Sequence, residues 1–246
     1  TQLGNSIGCN TIIVMPETQS NEKKQLLEIL GAELILVPAV PYKDPNNYVK
    51  YSKKLSEDLS KKEKNKTVLW ANQFDNSSNL NAHFNSTGPE IWEQTCGKVD
   101  GFICAIGSGG TIAGVAKYLK KKNPKIQIGL SDPYGSALYN YFKINEMKSE
   151  GNSITEGIGQ GRITKNLENF KPDHCFRIAD EPAITELQNL LKYEGLYLGG
   201  SSAINLLGAV ELAKQMGKGH TICTILCDSG QRYESVSYTH LRAHET

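Results

Sequence analysis

No apolar run in this sequence is long enough to cross a bilayer, and no charged stretch leads into a signal-peptide core. Neither charge sign is in excess: 27 Lys and Arg stand against 26 Asp and Glu, a net +1. That balance gives no electrostatic reason to expect nucleic acid or a membrane surface as partner. Paired cysteines are missing too. None of Cys9, Cys96, Cys104, Cys175, Cys223 and Cys227 forms a CxxC pair, and no His is spaced to complete a zinc site. Cys104, Cys223 and Cys227 lie in apolar runs, where a free thiol behaves as a small hydrophobe. The six are therefore expected to be reduced, in a cytoplasmic kind of compartment and without metal. No initiator Met opens the chain, so a start inside a longer protein is expected and an organellar leader stays open.

What remains is ordinary globular composition: 246 residues, 39% hydrophobic and 22% charged, enough for a substantial core. The pattern alternates strands with helices. "NTIIVM" (Asn10 to Met15) reads as a buried strand closed by Pro16, and Ser20 as the cap of a helix that Gly31 stops. "AELILV" (Ala32 to Val37) is a second strand, Asn46 to Lys62 a polar helix, and "TVLWA" (Thr67 to Ala71) a third strand. A helix around Glu90 to Gln94 leads to the strand Val99 to Ile106, and Ile126 to Asp132 is another strand. "ITELQNLLKYEG" and "AINLLGAVELAKQMG" read as helices, and "HTICTILCD" (His220 to Asp228) as a strand. Strands separated by helices imply an α/β class with parallel sheets flanked by helices. The lysine-rich "KKEKNK" and "KYLKKKNPK" are expected to be solvated surface, the second also complementing a helix C-terminus.

The most informative stretch is "AIGSGGTIAG", between an apolar strand and a helix. In a parallel sheet, ligands gather beyond the carboxyl ends of the strands. Glycines let the backbone approach a ligand, and converging N–H groups at a helix N-terminus favour an anion. Ser108 and Thr111 add hydroxyls. No Lys follows, so this is not a Walker loop. The dinucleotide fingerprint fails because Ile112 stands where its third glycine belongs, which argues against a nicotinamide-dependent oxidoreductase. A compact phosphate monoester suits the loop better than a pyrophosphate.

The loop keeps specific company. "VMPETQSNEKKQLLEILGAELILVP", "NQFDN", "TGPEIWEQTCGKVDGFICAIGSGGTIAGV", "SITEGIGQG", "GGSSAINLLGA" and "DSGQRY" follow in that order. Together they resemble the cysteine synthase (O-acetylserine sulfhydrylase) family of fold type II pyridoxal-phosphate enzymes, from Thr1 to about Ser235. The resemblance implies a two-domain architecture with pyridoxal 5'-phosphate as cofactor, O-acetylserine and sulfide as substrates, and a homodimer. Gly107, Ser108, Gly109, Gly110 and Thr111 would cradle the cofactor phosphate, with Ser108 where the family more often has Thr. Gln73 would help bind the substrate carboxylate, and Gly157 would lie near the active-site mouth. Ser229 would hydrogen-bond the pyridine nitrogen. A neutral hydroxyl there leaves that nitrogen mostly unprotonated, which suits loss of a β leaving group over transamination.

Two departures qualify the resemblance. The family's Schiff-base lysine, in a segment resembling SxKDR, and its SGNTG-type loop occur nowhere in this sequence, and Lys23, Lys24 and Lys143 stand in the wrong contexts. The expectation is a C-terminal portion with no catalytic base of its own, inactive alone, and with strand edges left open to aggregation. Residues 1–84 would be the remainder of the smaller, substrate-side domain and 85–235 the larger, cofactor-binding one. Residues 236–246, with His240 and His244, resemble translated adaptor sequence, a non-native tail. A cystathionine β-synthase, a dehydratase of the same fold type, and a non-catalytic binding protein are the competing readings.

Overall fold

The computed structural model describes residues 1–238, and the chain divides into two compact units. The first holds Thr1–Asn72 together with 232–238, and the second Gln73–Gln231. The boundaries drawn from the sequence lay at 84 and 235. Residues 73–84 fall in the second unit because their side chains hydrogen-bond into its glycine loop. The proposed tail falls mostly outside the described residues, His240 and His244 included.

In the first unit, α1 (Gln2–Ser6) precedes β1 (Ile12–Pro16), α2 (Asn21–Ile29), β2 (Glu33–Val37) and α3 (Tyr48–Lys62). β1 and β2 pair in parallel, Ile12 opposite Glu33 and Pro16 opposite Val37, with α2 as the crossover. Gly31 ends that crossover at φ +80°, a conformation that favours glycine, and its N–H reaches the Glu28 carbonyl at 2.9 Å. Asn47 caps α3 by accepting from Val49 N at 3.1 Å.

Two expectations here need correction. Ser20 precedes α2 but its side chain does not cap it; the buried hydroxyl donates instead to the Arg232 carbonyl at 2.8 Å. Thr67 to Ala71 forms no strand. A strand exists only where a neighbour supplies a ladder, and among the described residues the sheet of this unit is made of β1 and β2.

The second unit runs α4 (Ser77–Asn85), α5 (Thr87–Gln94), β3 (Val99–Cys104), α6 (Gly110–Lys122), β4 (Gln127–Pro133) and α7 (Leu138–Ile144). It continues with β5 (His174–Ile178), α8 (Asp180–Glu194), α9 (Gly200–Met216) and β6 (Thr221–Cys223). Its sheet has the order β5-β4-β3-β6, every pair parallel, so all carboxyl ends emerge at one edge. Side chains alternate across a strand. Phe102 and Cys104 join the cluster formed with Ile112, Val115 and Leu119 of α6, while Ile103 faces Gly208 of α9. Both faces of the sheet are thus covered, and β3 and β4 are buried almost throughout. α9 approaches so closely that a Cβ on Gly208 would overlap Ser131, whose hydroxyl donates to the Ile204 carbonyl at 2.6 Å.

The last strand is shorter than the apolar run from His220 to Asp228 suggested, ending at Cys223. Beyond it side chains take over from the ladder. Thr224 Oγ1 donates to the Ile103 carbonyl at 2.7 Å, and Asn205 bridges Ala105 N (2.7 Å) and the Ile225 carbonyl (2.8 Å). The six cysteines are free thiols; Cys104 and Cys175 are buried, whereas Cys227 is exposed rather than in a strand.

Candidate active site

β3 delivers its chain to the sheet edge at Cys104, and after Ile106 the backbone turns through glycine into α6. Gly109, the residue before α6, has φ +88°, and a Cβ there would also strike Leu167 at 2.6 Å. A Cβ on Gly107 would lie 2.5 Å from the Gly157 carbonyl oxygen, and one on Gly110 would overlap the Asn79 side chain. The glycines are therefore required by close neighbours as well as by the turn. The first N–H groups of α6 have no intrahelical acceptor and carry the positive end of the helix dipole.

The hydroxyls of the loop are oriented by α4. Asn79 Nδ2 donates to Ser108 Oγ at 2.8 Å, and Gly110 N approaches the same oxygen at 3.4 Å. With its oxygen accepting from those two groups, the Ser108 hydroxyl keeps its own hydrogen to donate. One turn along α4, His83 Nε2 lies 3.1 Å from Thr111 Oγ1 while its Nδ1 lies 2.9 Å from Thr87 Oγ1. Burial holds the imidazole pKa below its ordinary value, so the ring is neutral at pH 7 and donates through only one nitrogen.

A second support comes from residues 157–167. Gly159 N donates to the Ile106 carbonyl at 3.0 Å, and Thr164 Oγ1 to the Ser108 carbonyl at 2.8 Å. Asn166, almost wholly buried, donates through Nδ2 to the carbonyls of Gln73 (3.1 Å) and Phe74 (2.9 Å). Asp75 accepts both arms of Arg162, at 3.0 and 2.9 Å, together with Lys165 N at 2.9 Å. The Arg162 hydrogen bonds hold the Asp75 carboxyl below the usual carboxylate range.

The structure thus brings Gly107 to Thr111, Gln73 and Gly157 into one neighbourhood. Gln73 is tied to it through its backbone carbonyl, and its side chain is left exposed. Ser229 stands on the same carboxyl edge, reached through β6 beside β3, where it bridges Leu198. Its Oγ accepts from Gln231 N at 3.3 Å, and none of the hydrogen bonds above joins it to the glycine loop. The Asn79, His83, Asp75, Arg162, Thr164 and Asn166 contacts escaped the sequence reading. One signal for them was present: Asn79 and His83 are spaced i, i+4, one face of a helix.

As chemistry, the loop offers backbone N–H groups, two hydroxyls and a helix N-terminus. That set fits a compact anion. Residues 3–228 match the family described as pyridoxal-phosphate dependent enzyme. A cysteine synthase of Dictyostelium discoideum is 44% identical over 97% of this chain and 64% of its own length. Cysteine synthase 1 of Neurospora crassa is 46% identical over 93% of this chain and 60% of its own length. The chain therefore spans less than two thirds of these relatives. The crystal structure of an O-acetylserine dependent cystathionine beta-synthase from Helicobacter pylori superposes with a TM-score of 0.81 at 31% identity, covering 95% of this chain and 71% of that one.

Proposed function

This chain belongs to the pyridoxal-phosphate dependent enzyme family, and from that premise we propose that it serves cysteine formation from O-acetylserine and sulfide by β-replacement. The observation that carries the reading is the cradle at Gly107 to Thr111. A phosphate monoester dianion needs convergent donors and no competing acceptor. The α6 N-terminus supplies N–H groups, and Ser108 is left with only a hydrogen to offer. The absence of a Cβ at Gly110 keeps the Asn79 side chain against the loop.

When bound, pyridoxal phosphate supplies an electron-withdrawing ring that stabilises negative charge on the substrate's α-carbon. This chain's part is to hold and orient. Gly107 to Thr111 bind the phosphate, and Gln73 presents its amide to the substrate carboxylate. Ser229, whose oxygen already accepts from Gln231 N, has its hydroxyl hydrogen to give to the pyridine nitrogen and leaves that nitrogen unprotonated. Gly157, at φ +80°, shapes the mouth beside Gly107. None of the lysines in these 246 residues stands in a context resembling the family's SxKDR segment, so no residue of this chain is assigned the proton-moving role. The same resemblance supports a cytoplasmic homodimer; among the described residues no helix is long and apolar enough to cross a membrane.

Titrating the chain with pyridoxal 5'-phosphate, pyridoxal and inorganic phosphate tests the cradle. The phosphorylated cofactor should bind and be displaced by phosphate, pyridoxal should bind far more weakly, and Gly110→Val should lose about tenfold or more in affinity. Equal binding of pyridoxal and its phosphate would remove the reading. For the reaction, a chimera joins this chain to the unmatched segment of the Dictyostelium relative. It should release cysteine from O-acetylserine and sulfide; product formed only with homocysteine would favour the cystathionine-forming alternative.

A further inference from the structure

We propose that Asn79 is a positioning residue that couples the substrate-carboxylate contact at Gln73 to the phosphate cradle at Ser108, an inference that rests on the reading of that cradle. The argument begins with one side-chain amide. Its two hydrogens meet two acceptors, the Gln73 carbonyl and Ser108 Oγ, each at 2.8 Å from Nδ2. A backbone carbonyl only accepts, so the NH₂ end must face Gln73. That orientation sends the Asn79 Oδ1 towards Gly110, into the space a Cβ would occupy. Three points of the site are then held by one rigid plane.

The partners differ in what they transmit. On the Ser108 side the amide fills a lone pair and so dictates which way the hydroxyl donates. On the Gln73 side it fixes the backbone from which the carboxylate-binding side chain projects. Asn166 and Thr164 brace the same two residues through the carbonyls of Gln73 and Ser108, so neither can move alone. A ligand that tightens one end of this linkage tightens the other, and by thermodynamic necessity the coupling is reciprocal. Asn79 is the member of the set that touches a donor group of the cradle itself.

Amide hydrogen exchange on the 246-residue chain tests this, with inorganic phosphate as the probe. In the wild type, phosphate should slow exchange at Ser108 to Gly110 and also at Gln73 and Phe74. In Asn79→Asp, which keeps the shape but sets an acceptor against the Gln73 carbonyl and draws the Ser108 hydroxyl hydrogen to itself, exchange without ligand should rise about tenfold at both segments, and phosphate affinity should fall by a similar factor. The remote slowing at Gln73 and Phe74 should vanish in Asn79→Asp and in Asn79→Ala. Protection confined to the loop in the wild type would overturn the coupling. So would a variant that loosens one segment alone, or one that raises exchange throughout β4 as well. If phosphate protects nothing, the cradle reading fails; the ligand-free exchange of the two segments still decides whether Asn79 joins them.

Discussion

Asp132, the last residue but one of β4, has no solvent exposure, and its two carboxylate oxygens fare differently. Oδ2 accepts from Tyr139 N at 2.8 Å, whereas Oδ1 has no hydrogen-bond partner. Burial pushes its pKa up to about 6 from an ordinary 3.8, and Ser136, Tyr139 and the Arg177 guanidinium only partly offset this. The folded state therefore holds the proton more tightly than the unfolded chain. Stability is full below about pH 4 and is lost as pH rises towards 6, on the order of 3 kcal/mol at ~1.4 kcal/mol per pKa unit. Asp132→Asn should match the wild type near pH 4 and exceed it above pH 6, in urea unfolding followed across that range. A constant difference between the two proteins would show that the carboxyl does not titrate with folding. The same burial logic raises the Cys175 thiol to about 12, which keeps it protonated and unreactive at neutral pH.

At the level of elements, the cradle depends on how closely α4 lies on α6. A Cβ at Gly114 would run into the Leu80 carbonyl and lie 2.7 Å from His83 Cβ. Gly114→Val should therefore cost ~1–3 kcal/mol of stability by overpacking, and it should also displace α4, carrying Asn79 and His83 away from Ser108 and Thr111. Phosphate affinity would fall although residue 114 touches no ligand. Gly88 provides the comparison: its Cβ would meet Tyr118 at 2.7 Å, where α5 packs on α6. Gly88→Ala should destabilise comparably in the same urea experiment yet leave phosphate affinity near wild type. Equal losses of affinity in both variants would mean that general loosening, not the position of α4, controls the cradle.

Across the whole molecule the burial is uneven. The continuous apolar cluster, from Val99 to Cys175, belongs entirely to the second unit, with Phe102, Ile106, Ile112, Leu119 and Leu130 at zero exposure. The first unit has a two-stranded parallel sheet whose β1 residues are all only part-buried, and Ile29 and Leu69 are 82% and 88% exposed. A small buried area offsets little chain entropy. Native-state exchange should then show β1, α2 and β2 opening at low free energy, while β3, β4, α6 and α9 exchange only on global unfolding of their unit. Uniform protection across all of these elements would contradict this account.

Much of this was written in local chemistry. Parallel α/β architecture follows from apolar runs separated by amphipathic stretches. The glycine loop was legible because a strand, a φ-permissive turn and a helix start lie within ten adjacent residues. β5 was missed because "HCFRI" mixes polar and apolar residues, and it is a strand by virtue of pairing with β4. Thr67 to Ala71 and the end of the His220 to Asp228 run failed in the opposite sense. Their residues suit a strand, but ladder partners are assigned by the fold and not by propensity. Asn79, Asn166 and the Arg162–Asp75 pair were beyond reach for a related reason. Their partners lie 29, 93 and 87 residues away, and an asparagine in sequence does not state which carbonyl it will meet. The sequence alone determined which backbone could receive an anion. Only the tertiary structure decided which side chains would orient the receiving groups, because hydrogen-bond direction depends on neighbours brought together by packing.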